Sequence, residues 1–228
     1  MAQIGYGYGS EYQLLRFLGH HRNELELALH KAGVPDGDFY WFDFDYADRD
    51  RILSGDSEIC GLSFLEGRFD NYSEVKKEIK SYSWTFNSWQ YWDAVFIVNN
   101  VVYFVEAKAH KDELKSGSKT HGGTNSDAIF AFMSKQFSCA TDEWLKDYYQ
   151  FANRISTVAM INKKGIQCKL VNIYFIDGYY DRERGINKDT SREEFEEEIE
   201  KELEALGLSK EEKDKYVIDL FIDANPHP

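Results

Sequence analysis

Apolar residues recur at Leu14, Leu15, Leu18, Leu25, Ala28 and Leu29, after a Gly- and Tyr-rich lead-in over residues 1–9. That spacing is a helical stripe. It predicts one helix from an N-cap at Ser10 to about Lys31, ended by Gly33, Pro35 and Gly37. Residues 39–46, FYWFDFDY, predict a strand. Over 47–90 the pattern is broken by Gly, Asp and Ser, and only a short helix near 73–80 is expected. Two apolar runs follow, WDAVFIV at 92–98 and VVYFVEA at 101–107, joined by Asn99 and Asn100. Asn tolerates positive φ, so the pair predicts a two-residue hairpin turn. Both runs are apolar on both faces, which predicts a central position in a covered sheet.

Beyond the hairpin, Gly117, Gly122 and Gly123 punctuate a loop over 111–126. Helices are expected over about 127–138 and from Asp142 to about Asn162, then a strand over 168–176, CKLVNIYFI. Ser191 and Glu194 form a capping-box pattern for a helix carrying Phe195, Ile199, Leu203 and Leu206. A last strand is expected over 216–222. This order predicts one α/β domain over residues 1–228, with a mixed sheet covered by helices on both faces and an acidic helix and strand at about 190–223.

Composition adds constraints. Three widely spaced cysteines, Cys60, Cys139 and Cys168, suggest reduced thiols rather than a zinc site. No apolar run reaches the roughly 18 residues of a membrane span, and the N-terminus shows no signal-peptide pattern, so a soluble cytoplasmic protein is expected. The net charge is −13, whereas nucleic-acid binders usually carry a basic excess. The acid is uneven: residues 189–204 hold nine of the 40 Asp and Glu, while Lys76–Lys80 and Lys108–Lys119 are locally basic. The Glu run reads as the solvated face of an amphipathic helix. Any nucleic-acid affinity is expected to be weak or metal-dependent.

The chemistry lies in the hairpin. With Asn99-Asn100 as the loop, Val98 faces Val101, and counting back along both strands brings Asp93 opposite Glu106. Opposed residues share a face, with Cβ atoms roughly 4.5–5.5 Å apart. Lys108, two residues on, shares it too. Two opposed carboxylates repel, and a divalent cation such as Mg²⁺ or Mn²⁺ would offset that; the alternatives are a structural Asp–Lys–Glu cluster with Lys108 neutralising part of the charge, or a slipped register that separates the acids. A metal held by Asp93 and Glu106 could polarise a phosphodiester, with Lys108 orienting water or steadying developing charge.

Asp93, followed after twelve residues by Glu106-Ala107-Lys108, resembles the signature of the PD-(D/E)XK nuclease superfamily, with Trp92 in place of the usual Pro. The resemblance implies a restriction endonuclease-like αβββαβ core, Mg²⁺ or Mn²⁺ as cofactor, and nucleic acid, DNA first, as substrate. A homodimer would fit the cutting of two strands, though no residue here requires one. Some members add a metal-binding Glu in the first helix. Glu11, on the stripe with Leu14, Leu15 and Leu18, could be that residue, or a first-turn Glu favoured by the helix dipole. Several branches also have a catalytic Gln on the helix after the E-x-K strand, followed four residues later by Tyr. Here Gln150 is followed by Arg154, which could hold a phosphate or pair with a site carboxylate; Asn153 and Arg154 are the candidate substrate contacts. GSEYQLLRFLG, EAKAH and YYQFANR also resemble a set of bacterial proteins assigned to this superfamily, over roughly Gly9 to Asp223.

The first expectation is therefore a metal-dependent nuclease. A nuclease-fold protein that binds nucleic acid or a protein without cutting is the second. A glycoside hydrolase using Asp93 and Glu106 as its acid pair is the third, and metal dependence separates it from the first. His20, His21 and His110 read as helix, capping or loop histidines.

Overall fold

A computed structural model describes residues 9–42, 59–82, 90–116, 124–181 and 185–224. Its centre is a five-stranded mixed sheet of the order β1-β4-β5-β6-β9. These strands are β1 (Tyr40–Trp41), β4 (Ala94–Val98), β5 (Val101–Lys108), β6 (Cys168–Ile176) and β9 (Val217–Asp223). The pairs β1/β4 and β4/β5 are antiparallel, and β5/β6 and β6/β9 are parallel. Two short ribbons flank it, β2 (Ile59–Cys60) with β3 (Tyr91–Trp92), and β7 (Tyr180–Asp181) with β8 (Ile186–Asn187).

The predicted hairpin is present. Asn99 and Asn100 have φ of 50° and 64°, and Val98 pairs with Val101. The two sides of β5 feed two cores. Val102 and Phe104 pack with Leu170, Ile155 and Phe132 on one face; Tyr103, Val105 and Ala107 pack with Ile173, Phe17 and Leu25 on the other. Helices α1 (Ser10–His20) and α2 (Arg22–Lys31) cover the second face. The first face is covered by α3 (Tyr72–Lys80), α4 (Thr124–Gln136), α5 (Tyr149–Lys163) and α6 (Arg192–Leu206). The mixed α/β sheet covered on both faces thus matches the expectation. No described helix is long and apolar enough to cross a membrane.

Several boundaries differ. The first helix is two, broken at His21 (φ −130°, ψ 34°), and its N-cap is Gly9 at φ 90° rather than Ser10. Only Tyr40–Trp41 of the 39–46 strand is assigned, and residues 43–46 lie outside the described residues, as does much of the 47–90 and 111–126 stretches. The helix expected from Asp142 starts instead as a 3-10 turn at Asp142–Leu145, and α5 begins at Tyr149. The Ser191/Glu194 capping box forms, and Gly207 at φ 63° closes α6. A second capping box, Ser209 with Glu212, starts a helix the hydrophobic pattern missed, α7 (Lys210–Tyr216). It is seven residues with almost no apolar stripe, so its cap is its main sequence signal.

Candidate active site

The run expected as one strand over 92–98 divides at Asp93. Tyr91 and Trp92 turn away to pair with Cys60 and Ile59, while the main ladder begins at Ala94 opposite Val105. Asp93 stands at the bend, and its N–H also goes to the Val105 carbonyl, at 3.1 Å. Two residues therefore share one partner, the arrangement of a bulge, common beside active sites. With β3 turned away, the Ala107 N–H donates to the Asp93 Oδ2 at 2.7 Å. Asp93 is thus not in a ladder pair with Glu106 as the simple register predicted; the bulge displaces it. The two carboxyls still interact. Burial first, and then the Glu106 charge, push the Asp93 carboxyl up to about 7, against the opposing pull of Arg154, Lys108 and the Ala107 bond.

Glu106 lies on the α5 side of β5 and is 5% exposed. Each of its oxygens faces a cation. Lys108 Nζ is 2.6 Å from Oε1, and Arg154 Nη2 is 2.7 Å from Oε2. The Lys108 Nζ also donates to Gln150 Oε1 at 3.1 Å. Gln150 and Arg154 are one turn apart on α5, so one helical face supplies both. The start of that helix is fixed by Gln150 N–H donating to Ser116 Oγ at 2.7 Å. Arg154 reaches back to the bulge, donating to the Tyr91 carbonyl at 3.0 Å, with its guanidinium 6.0 Å from the Trp92 ring centre. The predicted Glu106, Lys108, Gln150 and Arg154 therefore converge, with Asp93 in electrostatic contact. The ion pair of Arg154 with Glu106 is buried.

Two predicted residues stand apart from this group. Asn153 is buried and donates to Tyr149 Oη at 3.2 Å; its Oδ1 has no hydrogen bond and it does not line the cleft. Glu11 is half-buried in the first turn of α1, the helix on the opposite face of the sheet, and does not line the cleft either. A carboxyl that the sequence reading missed, Glu113, lies just after β5, where Ser10 of α1 bonds it. It accepts from Ala109 N–H at 3.4 Å, and its pKa is raised by burial, against the charge of Lys108 and hydrogen bonds from Ser10 and Ala109. Glu113 lies in a 3-10 turn, where hydrophobic periodicity gives no signal. His110 is nearby at that turn's N-cap, its Nδ1 accepting from Asp112 N–H.

A small cleft of about 20 Å³ opens between β5, β6, α5 and α6, room for roughly one water. Glu106, Lys108, Gln150 and Arg154 line it together with Asn172, Tyr174 and Glu202. Asn172 sits beside Glu106 in the parallel register, with Asp219 beyond it, so a polar row crosses three strands. Glu202 corrects the reading of the acidic helix as a solvated face. Glu198 and Glu202, one turn apart, are 5% and 2% exposed. Glu198 is held by Tyr148 Oη at 2.8 Å, Lys115 at 3.1 Å and Lys201 at 3.2 Å. Burial, opposed by Lys213, pushes Glu202 up to about 8, which keeps its carboxyl mostly neutral.

The residues that could hold a divalent cation are Glu106, which lines the cleft, and Asp93, which does not and whose Oδ2 accepts from Ala107 N–H. Among the described residues no three His, Cys, Asp or Glu side chains come together as a complete metal cage. Two carboxylates suffice for Mg²⁺, which commonly takes its remaining oxygens from water and substrate phosphate. Glu106 Oε2 fits that role, being buried without a hydrogen bond despite its close ionic contact. Comparisons with protein-family models, curated proteins and solved structures found no match for the chain.

Proposed function

We propose that the protein is a metal-dependent nuclease of the PD-(D/E)XK type, hydrolysing phosphodiester bonds of nucleic acid, DNA first, with Mg²⁺ or Mn²⁺ on Asp93 and Glu106. The observation that carries this reading is Lys108 Nζ, seated between Glu106 Oε1 at 2.6 Å and Gln150 Oε1 at 3.1 Å. The E-x-K pair and the helical Gln belong together in the superfamily signature, and here they touch. The elements around the main sheet support it too: with α2, β2, α3, β3 and α4 set aside as additions, α1, β1, β4, β5, α5 and β6 run in αβββαβ order, with an antiparallel hairpin and a parallel final strand.

A bound cation would supply charge to a phosphate oxygen and acidify water. The chain supplies the rest. Gln150 fixes the Lys108 ammonium where negative charge develops, and the low-dielectric surroundings strengthen that interaction. Asp93, with a pKa near 7, ionises readily once a cation offsets its neighbour.

The test is titration calorimetry with Mn²⁺ on the wild type and on Asp93→Ala. Uptake by the wild type that vanishes in the variant, followed by Mn²⁺- or Mg²⁺-dependent cleavage of single- or double-stranded DNA or RNA, supports the reading. Equal uptake by both proteins removes Asp93 from the site. One observation favours a second reading, a nuclease-fold protein that binds without cutting. Arg154 already sits on Glu106 Oε2. Nucleic-acid binding with neither Mn²⁺ uptake nor cleavage would select it.

A further inference from the structure

Glu106 and Arg154 are both 5% exposed, and 2.7 Å separates Oε2 from Nη2. The pair is nonetheless incomplete: neither Glu106 Oε2 nor Arg154 Nε makes a hydrogen bond. A buried ion pair offsets its desolvation only when the remaining donors and acceptors are satisfied. This one leaves a donor and an acceptor unused, and both residues line the cleft. A phosphate would satisfy the guanidinium better, because two oxygens can take Nε and one Nη together.

We propose that Arg154 is a displaceable occupant of Glu106. A phosphodiester oxygen draws the guanidinium away from Oε2, and the freed carboxylate then takes the divalent cation. The side of the cleft formed by Arg154 and Lys108 is accordingly a phosphodiester subsite. The inference rests on the metal-dependent reading above and adds an order to it: phosphate and cation bind cooperatively.

Charge and size both favour this order. A divalent cation arriving first at Glu106 would meet two fixed cations, Lys108 and Arg154, in a buried setting where like charges repel strongly. A phosphodiester brings a negative charge that offsets them. The cleft is small, about 20 Å³, and Arg154 forms part of its lining, so a guanidinium drawn off Glu106 toward the phosphate leaves more room beside the carboxylate. Lys108 does not need to move, since Gln150 holds it independently.

The experiment titrates Mn²⁺ into the full-length wild type, with and without saturating dimethyl phosphate, and into Arg154→Met. Dimethyl phosphate is expected to tighten Mn²⁺ binding by the wild type about tenfold or more, and Mn²⁺ to tighten dimethyl phosphate binding by the same factor. Arg154→Met is expected to bind Mn²⁺ tightly alone and to gain nothing from dimethyl phosphate. If circular dichroism shows the variant unfolded, the wild-type pair of titrations decides. Mn²⁺ binding by the wild type that is unchanged by dimethyl phosphate would make Arg154 a fixed structural partner, leaving the metal reading intact. No Mn²⁺ binding by either protein, with or without dimethyl phosphate, would remove the metal reading and this inference together.

Discussion

Two groups of buried charges lie on the same face of the sheet, joined by Asn172, and they are built differently. On β5, Glu106 sits between Lys108 and Arg154 beside a cleft, with one oxygen and the Arg154 Nε lacking hydrogen bonds. On β9, Asp219 accepts from Asn172 Nδ2 at 3.2 Å on one oxygen and is paired with Lys213 from α7 on the other. The second group is closed and satisfied; the first is open and incomplete. Buried charge by itself therefore does not mark a reactive site. Incomplete pairing at a cleft marks a candidate ligand site, because unused donors and acceptors cost stability unless a ligand uses them.

Removing the buried cation from the closed group should have the largest effect on folding. Lys213 is 3% exposed, and Lys213→Met would leave Asp219 without its counter-charge. A loss of about 3–5 kcal/mol in urea unfolding is expected, with cleavage per folded molecule unchanged. Lys108→Met should do the reverse. Cleavage should fall about 10²–10³-fold while unfolding shifts less than for Lys213→Met, because Glu106 keeps Arg154. Equal losses of stability with no separate effect on cleavage would erase the distinction between the groups.

The distinction also explains what the sequence made legible. Asp93, Glu106 and Lys108 stand out because they interrupt apolar strands, where a charge has a cost that pattern reading can detect. Gln150 and Arg154 were reached through the family resemblance, which implies a Gln on the helix after the E-x-K strand; helical spacing then put Arg154 on the same face. The buried pair on α6 was hidden. Glu198 and Glu202 sit in a run of Glu, where the inward-facing pair looks like its solvated neighbours; only their one-turn spacing beside Phe195 and Ile199 could have marked them. The bulge at Asp93 was hidden for another reason. It depends on β3 pairing with Ile59–Cys60, a partner far away in the chain that no local pattern announces.

A smaller effect should appear with pH. Asp93 and Glu202 both have raised native pKa values, from 3.8 to about 7 and from 4.5 to about 8. Between the ordinary and raised values the native state holds protons that the unfolded chain has lost. Stability should therefore fall as pH rises from about 4 to about 8, and level off above that. Asp93→Asn should flatten the part of this slope below about 7, and Glu202→Gln the part extending to about 8. Chemical denaturation of each protein across pH 4 to 9 reads this directly. A stability that stays flat over that interval in the wild type would show that these carboxyls are ionised in the fold as they are in the unfolded chain.

The smallest effect tests whether the closed group is only a scaffold. Helix α7 spans seven residues, and its task in the fold is to carry Lys213 to Asp219. Ser209 starts it, its hydroxyl accepting from Glu212 N–H at 3.2 Å while the Glu212 carboxylate accepts from Ser209 N–H at 3.2 Å. Ser209→Ala removes half of that box and should cost about 1 kcal/mol. Mn²⁺ affinity in the presence of dimethyl phosphate should stay the same, since Ser209 bonds Glu212 and Asp219 reaches the Glu106 row only indirectly, as through Asn172. A loss of Mn²⁺ affinity in a variant that is still folded would mean that the position of Lys213 is transmitted through Asp219 and Asn172 to Glu106. The two groups would then be one site.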